Sequence, residues 1–490
     1  MERGDRGMEH DYILYGAGEL GRNTFLKLCE KEVSVIAFLD KKENGTIMGV
    51  PVLPPDTVDL TLEKKKEVVV VICLSDGMLH REVAESVYLY GFEKILFLPI
   101  EYQISSAEKK ELTNRYNRLL AGEDIYEEIE NYAIYRRLRW EDGAVIRKEE
   151  ECIVAWVGQE ILFSEDVERW TGDLSKVNIV NDGVDVNLNT YCWIHELYDF
   201  FDGKRNECNN YLRIYGLKQG EPKATKKIRD KERLYLSLKK ESGMESDFFI
   251  EAAPEVMWNE KGYFNLVGGH HRTVFQQHRG NVNYPVRIKN EDYRIWENKD
   301  ILSKIIDFIK QNHIYKTYVP IPHPYFVNFA YQREAGNPSV LSSILQYLGP
   351  RRLDNEQILD VSQYEGYFAR VTKRMCAQDV KIYNENAVMS EFIKMICDLL
   401  YIKDIEVLKN DDKHLKSICE EADIIFGMTN TRMLLEKGCL RTFSGKLFIE
   451  FDIEEAQIVT MIRKKTNLYN YKTLHREVFQ GKLLETGVIW

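Results

Sequence analysis

The residues best suited to chemistry in this chain form one continuous run, Gly268-Gly269-His270-His271-Arg272-Thr273. Glycines let the backbone come close to an anion, and an arginine guanidinium donates forked, charge-assisted hydrogen bonds to phosphate. Gly268, Gly269 and Thr273 are therefore candidate binding residues. The candidate catalytic residues are His270, His271 and Arg272, and His270 could act as a base, a transient phosphate carrier or a simple donor.

The residues around this run predict that it lies between a strand and a helix. The apolar stretch 263–267 predicts the strand, and residues 273–278 predict the start of the helix. Exposed N–H groups at the start of a helix attract anions, so this position suits a phosphate. The alternative is a tight turn that binds nothing, in which the histidines pack or face water.

Residues 208–300 also resemble the ParB/sulfiredoxin-like fold, an α+β domain. The resemblance rests on a hairpin around residues 259–262, the glycine turn, the helix after it and a strand over 284–288. Members of that fold bind ATP or CTP on such a turn. The resemblance therefore implies ATP or CTP with Mg²⁺ as the ligand of this turn.

Two positions depart from that resemblance. His270 stands where sulfiredoxins carry a reactive cysteine, so sulfinic acid repair by a thiol is not expected. Gly268 stands where the related free-serine kinases carry an acid, so a carboxylate that binds magnesium or accepts a proton must come from elsewhere. Three glutamates are available for this role: Glu232, Glu251 and Glu255. The sequence assigns no metal ligand.

A second glycine turn lies near the start of the chain. Gly16, Gly18 and Gly21 follow a short apolar strand and open a helix, and Asp40 ends the next strand at the distance expected of a ribose-binding acid. Residues 1–104 resemble the small Rossmann-like domain at the front of bacterial sugar-nucleotide and cell-envelope glycan enzymes. That resemblance leaves three alternatives open: a sugar nucleotide, NAD(P), or a structural domain without a ligand.

The last 150 residues alternate strands and helices again. Residues 340–490 resemble the S-adenosylmethionine-dependent methyltransferase fold, in which a glycine turn holds the methionine part and an acid ends the second strand. Asp360 and Gly366 match that turn, and Glu385 is a stand-in for the acid. Ser362 and Tyr364 replace two of the glycines, so the domain is either an active methyltransferase or a degenerate scaffold.

The composition predicts a folded, multidomain α/β protein. The chain has 490 residues, 44% of them hydrophobic, and carries a net charge of -11, which argues against general binding of nucleic acid. Its nine cysteines form no zinc pattern, and no stretch is long and apolar enough to span a bilayer, so a cytoplasmic location is expected. The basic run 218–240 is interpreted as a solvated face, with a binding stripe as the alternative.

These features predict an order of domains. A Rossmann-like domain (1–104) is followed by a helical linker (105–150), a ParB/sulfiredoxin-like domain (151–300), a connection containing prolines (301–345) and a methyltransferase-like domain (346–490). The leading hypothesis is phosphoryl transfer from ATP or CTP to a small polyol, sugar or cell-envelope glycan precursor. The alternatives are methyl transfer from S-adenosylmethionine to a sugar or glycan, and a non-catalytic nucleotide-binding scaffold. The oligomeric state and the fold of residues 140–200 are left open.

Overall fold

In a computed structural model, the chain forms two compact units. The first comprises Met1–Gly143, His313–Thr317 and Asn328–Gln332, and the second comprises Ala144–Asn312, Tyr318–Val327 and Arg333–Trp490. The structure describes residues 10–41, 45–75, 79–97, 106–136, 144–164, 186–187, 192–209, 211–212, 221–240, 247–279, 281, 283–314, 316–327, 330–331, 340–348, 353–408, 412–455, 457–479 and 482–490.

The first unit is built around a six-stranded sheet in the order β3-β4-β2-β1-β5-β6. Its strands are β1 (Tyr12–Tyr15), β2 (Val35–Leu39), β3 (Gly45–Ile47), β4 (Val50–Leu53), β5 (Val69–Ile72) and β6 (Lys94–Phe97). Its helices are α1 (Glu19–Cys29), α2 (Leu62–Glu67), α3 (Leu79–Leu89), α4 (Ser106–Leu120) and α5 (Tyr132–Arg136). All neighbouring pairs except β3–β4 are parallel, and apolar clusters cover both faces, as a buried parallel sheet requires.

The second unit begins with a mixed seven-stranded sheet in the order β10-β9-β12-β11-β13-β8-β7. Its strands are β7 (Val145–Lys148), β8 (Cys152–Gly158), β9 (Leu162–Ser164), β10 (Val186–Asn187), β11 (Glu255–Asn259), β12 (Tyr263–Leu266) and β13 (Asn283–Lys289). Its helices are α6 (Cys192–Phe201), α7 (Glu221–Lys240), α8 (Asp247–Glu251), α9 (His270–His278), α10 (Asn290–Glu297) and α11 (Lys299–Gln311). The hairpin β11–β12 leads straight into α9, so the predicted strand–turn–helix order is found.

A short parallel pair, β14 (Lys316–Thr317) and β15 (Ala330–Tyr331), precedes the last sheet. That sheet has the order β18-β17-β16-β19-β20-β22-β21. Its strands are β16 (Gln357–Asp360), β17 (Asp379–Tyr383), β18 (Ile405–Leu408), β19 (Ile424–Met428), β20 (Lys446–Asp452), β21 (Tyr471–Phe479) and β22 (Lys482–Ile489). Its helices are α12 (Val340–Leu348), α13 (Tyr367–Arg374), α14 (Ala387–Leu399), α15 (Asp412–Glu421), α16 (Thr431–Glu436) and α17 (Gln457–Lys465).

The first five strands of this last sheet are parallel, and the chain crosses over at β16, which lies between β17 and β19. Strand β22 is antiparallel to β20 and closes the sheet with β21 as a hairpin. The expected mixed α/β class with several sheets is therefore confirmed, and this sheet is Rossmann-like. Within the described part of the chain, no helix is both long and apolar enough to cross a membrane.

Candidate functional site

The central glycine turn is closed on one side and open on the other. Gly269 adopts φ +84°, and a Cβ placed on it would lie only 2.9 Å from the Cβ of Pro254. A Cβ on Gly268 would meet no atom within 4 Å, so the space beside that residue is open. The guanidinium Nη2 of Arg272 lies 3.6 Å from the place of a Gly269 Cβ, which puts its charge over the turn. The turn thus has both an approach and a cationic side chain.

The helix begins three residues earlier than the sequence predicts. Because Gly269 takes the left-handed conformation, α9 starts at His270 instead of at Thr273. His270 and Arg272 therefore stand in the first turn of α9, where backbone N–H groups lack a carbonyl partner within the helix. The side chain of Thr273 is buried, and both its hydroxyl and its N–H donate to the Gly269 carbonyl, at 3.4 and 3.1 Å, so both donors are already engaged.

The two histidines have different surroundings. The Nε2 atom of His270 lies 2.7 Å from the Oγ atom of Ser164, at the end of β9. His271 is held by two tyrosines: its Nε2 lies 3.1 Å from the Tyr211 hydroxyl, and its carbonyl accepts a hydrogen bond from the Tyr198 hydroxyl at 2.6 Å. Burial, and then the nearby charges, lower the pKa of His271 well below its ordinary value, so this imidazole is neutral at pH 7.

Two lysines complete a positive surface that the sequence interpretation missed. Lys227 and Lys231 lie four residues apart on α7, and their charges act on His271. Burial, then Lys227 and Arg272, lower the pKa of Lys231. The run 218–240 was expected to be a solvated face, and these two residues depart from that expectation. Their spacing of one helical turn was the available signal, because it places both lysines on one face.

Asp230 opposes part of this charge, because it acts to raise the pKa of Lys231. Among the described residues, neither Lys231 nor Arg272 has an acidic group within ion-pair distance. Of the three glutamates proposed as the missing carboxylate, Glu251 forms an ion pair with Arg147, whose Nη1 lies 2.5 Å from Oε1 of Glu251. Within the same residues, no group of three His, Cys, Asp or Glu side chains is placed to hold a metal ion.

The N-terminal glycine turn borders a cavity of about 550 Å³, lined by Gly16, Gly18, Glu19, Leu20, Asn23, Asp40, Cys73, Leu74 and Ser75. Packing requires glycine at two of these positions. A Cβ on Gly16 would lie 2.8 Å from the Cys73 carbonyl oxygen, and a Cβ on Gly21 would lie 1.9 Å from the Gly16 carbonyl oxygen. A Cβ on Gly18 would meet nothing within 4 Å. The cavity lies beside β1 and β5, at the carboxyl ends of the strands, where doubly wound sheets bind ligands.

Asp40 lies at this cavity, as predicted, but its carboxylate already binds the glycine turn. Its Oδ2 accepts a hydrogen bond from the Ala17 N–H at 3.0 Å. A phosphate that approached this N–H would meet a carboxylate, whereas a hydroxyl group could donate to it. The arrangement therefore favours a sugar hydroxyl over a phosphate at this point of the cavity.

The turn after β16 is filled by its own side chains. Asp360 is fully buried and accepts hydrogen bonds from the N–H groups of Ser362 and Ala369, at 3.0 and 3.1 Å. Burial raises the pKa of Asp360 to about 6. Gly366 has φ +68°, a conformation that favours glycine, and a Cβ there would also lie 2.8 Å from Cδ1 of Ile382. Tyr364 is completely buried in the turn.

Aromatic rings occupy the space around Tyr364. Its ring stacks on Tyr318 and Phe368 with centroid distances of 4.7 and 5.5 Å, and Phe368 stacks on Phe426 at 4.5 Å. The predicted ribose acid is also engaged, because Oε1 of Glu385 lies 2.7 Å from Nζ of Lys437. Both positions expected to hold S-adenosylmethionine thus already have partners within the chain.

No protein-family model matches the chain, and no curated protein matches its sequence. Solved structures match parts of it. M. jannaschii TYW2 in complex with AdoMet is 14% identical over 28% of this chain and 68% of its own, with a TM-score of 0.24. A ribosomal protein L11 methylase from Lactobacillus delbrueckii subsp. bulgaricus is 12% identical over 27% and 68%, with a TM-score of 0.22.

A precorrin-6y C5,15-methyltransferase from Geobacter metallireducens is 10% identical over 28% of this chain and 80% of its own, with a TM-score of 0.23. The second and third of these proteins are described as a methylase and a methyltransferase, and the first as a complex with AdoMet. They lend no support to phosphoryl transfer. At these TM-scores the matches assign no activity to this chain.

Proposed function

We propose that the chain binds the phosphate groups of a nucleotide at the central turn and transfers a phosphoryl group to a small polyol, sugar or glycan precursor. One observation carries this proposal: Nη2 of Arg272 lies 3.6 Å from the place of a Gly269 Cβ, next to the open space at Gly268, and its charge acts on Lys231. Positive charge in a partly buried place is unfavourable until an anion neutralises it. A ParB/sulfiredoxin-like domain over residues 151–300 remains part of this proposal.

The described residues supply two of the elements that phosphoryl transfer needs. The first is charge neutralisation by Arg272 and Lys231 together with the N–H groups at the start of α9, because stabilisation of developing charge dominates this chemistry. The second is a proton acceptor, for which His270 is placed by its contact with Ser164 at 2.7 Å. Since no described carboxylate pairs with Lys231 or Arg272, we derive no step through a protein-bound metal.

The test is nucleotide binding by isothermal titration calorimetry, with ATP and CTP as separate ligands. Arg272→Ala should weaken binding at least tenfold, because it removes the charge over the turn. Arg279→Ala is the matched control, since Arg279 is exposed at the other end of α9. Equal affinities of the parent and Arg272→Ala proteins would reject the site. Release of ADP or CDP on addition of a polyol or sugar panel then tests the transfer step.

Methyl transfer is the second candidate, favoured by the Rossmann-like order of the last sheet and by Asp360 at the end of β16. It ranks lower because Tyr364 and Lys437 occupy the positions that the cofactor would need. The same calorimetry with S-adenosylmethionine decides between the two. We expect no heat of binding, and saturable binding with 1:1 stoichiometry would reverse the ranking.

A further inference from the structure

A second cationic cavity, of about 220 Å³, lies in the second unit, away from the central glycine turn. It is formed by the turn of the β11–β12 hairpin, the end of α13 and the loop after α14. Its charged lining residues are Glu260, Lys261, Lys373, Arg374, Lys403 and Asp404. The lining thus contains four basic and two acidic side chains. Pockets for drug-sized ligands measure about 300–1,000 Å³, so this volume suits a smaller molecule.

Arg374 makes this cavity more than a group of surface lysines. Its side chain is 1% exposed, and its Nη1 donates to Oε1 of Glu160 at 2.7 Å. Arg370 binds both oxygens of the same carboxylate, at 2.9 and 2.8 Å. Two buried guanidinium groups therefore share one carboxylate as their ion-pair partner. Arg370 also interacts with the buried Glu365 carboxyl group, so the excess of positive charge lies at Arg374.

Two donor atoms of Arg374 add to that excess. In the described part of the chain, its Nε and Nη2 atoms are buried and have no hydrogen-bond partner. A buried donor without a partner costs about 1–3 kcal/mol, and more when the group is charged. An anion in the cavity that Arg374 lines would remove this cost and balance the charge.

The exposed lysines at the mouth of the cavity are also available. Lys261 and Lys403 are exposed, and within the described ranges neither has an acidic group within 4 Å. Lys373 differs, because its Nζ approaches the carbonyl oxygens of Ala377 and Gln378 at 3.4 Å. Lys261 and Lys403 are therefore available to bind an anion in the cavity that Arg374 also lines.

We propose that this cavity binds a small phosphate-bearing anion, independently of the central turn. This cavity and the central glycine turn lie at opposite ends of β12, whose four residues span about 13 Å at about 3.3 Å per residue. Because the hairpin connects them directly, an anion held at Lys261 would also fix the strand that leads to Gly268. The inference does not rest on the proposed phosphoryl transfer.

The test uses the full chain carrying Arg272→Ala, so that the central turn no longer contributes. Inorganic pyrophosphate and inorganic phosphate are titrated separately by calorimetry, and we expect 1:1 binding of at least one of them. The further double change Lys261→Ala/Lys403→Ala should weaken that binding at least tenfold. The control is Lys464→Ala/Lys465→Ala, which removes the same charge from exposed positions on α17.

Three outcomes would overturn the proposal: no heat with either anion, equal binding after the Lys261/Lys403 change, or an equal loss in the Lys464/Lys465 control. Arg374→Gln tests the buried partner in the same background. It should lose the binding while its circular dichroism spectrum stays that of the parent. If Arg374→Gln does not fold, the two lysine pairs still decide the question.

Discussion

The hydroxyl of Tyr364 lies 3.2 Å from both oxygens of the Glu450 carboxylate and donates a hydrogen bond to it. Both residues are buried, so this bond joins the turn after β16 to the strand β20 inside the core. Tyr364 is thus part of the packing of the last sheet, and its hydrogen bond stabilises the turn after β16.

Tyr364→Phe tests this structural role. The change leaves the buried Glu450 carboxylate with one donor fewer, and a hydrogen bond to a charged group contributes about 1.5–3 kcal/mol. We expect a lower thermal midpoint by differential scanning calorimetry and no gain of S-adenosylmethionine binding. Tyr469→Phe, at a side chain that is 62% exposed, should leave the midpoint unchanged. An unchanged midpoint in Tyr364→Phe would show that the bond is not needed.

The sequence predicted the order of strands, turns and helices better than it predicted whether each candidate site is open to a ligand. Strand–turn–helix order around Gly16, Gly269 and Gly366 follows from local patterns of apolar residues and glycine, and all three positions are glycine turns in the structure. Whether a turn is open depends on residues distant in sequence. Pro254 closes one side of the central turn, and Lys437 forms an ion pair with Glu385. A local sequence pattern reveals neither contact.

Lys231 provides a second test of the central turn. Because its pKa is lowered, its ammonium loses its proton at a lower pH than an ordinary lysine does. Nucleotide affinity should therefore fall as the pH rises into the alkaline range, and Lys231→Met should remove that part of the dependence. Calorimetry between pH 7 and 10 measures it. Lys223→Met, an exposed change on the same helix, serves as the control, and identical pH profiles for all three proteins would contradict this assignment.

His323 predicts how the stability of the chain depends on pH. Its imidazole is fully buried, donates from Nε2 to the Glu297 carbonyl at 2.9 Å and accepts at Nδ1 from the Tyr325 N–H at 3.2 Å. Burial lowers the pKa of His323 to about 3. Between pH 6.5 and 3 the unfolded chain therefore binds a proton that the folded chain does not.

This difference stabilises the fold above pH 6.5, and the stabilisation is lost as the pH falls, by about 1.4 kcal/mol per pH unit. His323→Gln should be less stable at pH 7 but should lose stability less steeply on acidification. Urea unfolding at pH 7, 6 and 5 measures the two slopes. His414→Gln is the comparison, and a slope unchanged in His323→Gln would mean that the folded imidazole is protonated.

The buried group of Glu160, Arg370 and Arg374 gives the last prediction. Glu160→Gln removes the only ion-pair partner that these two guanidinium groups have among the described residues, so both would remain buried without it. Breaking a buried ion pair in this way costs about 3–5 kcal/mol, far more than the pair contributes when it is complete. We expect a large fall in the thermal midpoint of Glu160→Gln. Exchanging all three residues for methionine should recover much of it, because no buried charge then remains. A triple variant as unstable as Glu160→Gln would show that the group is required for its geometry and not only for its charge balance.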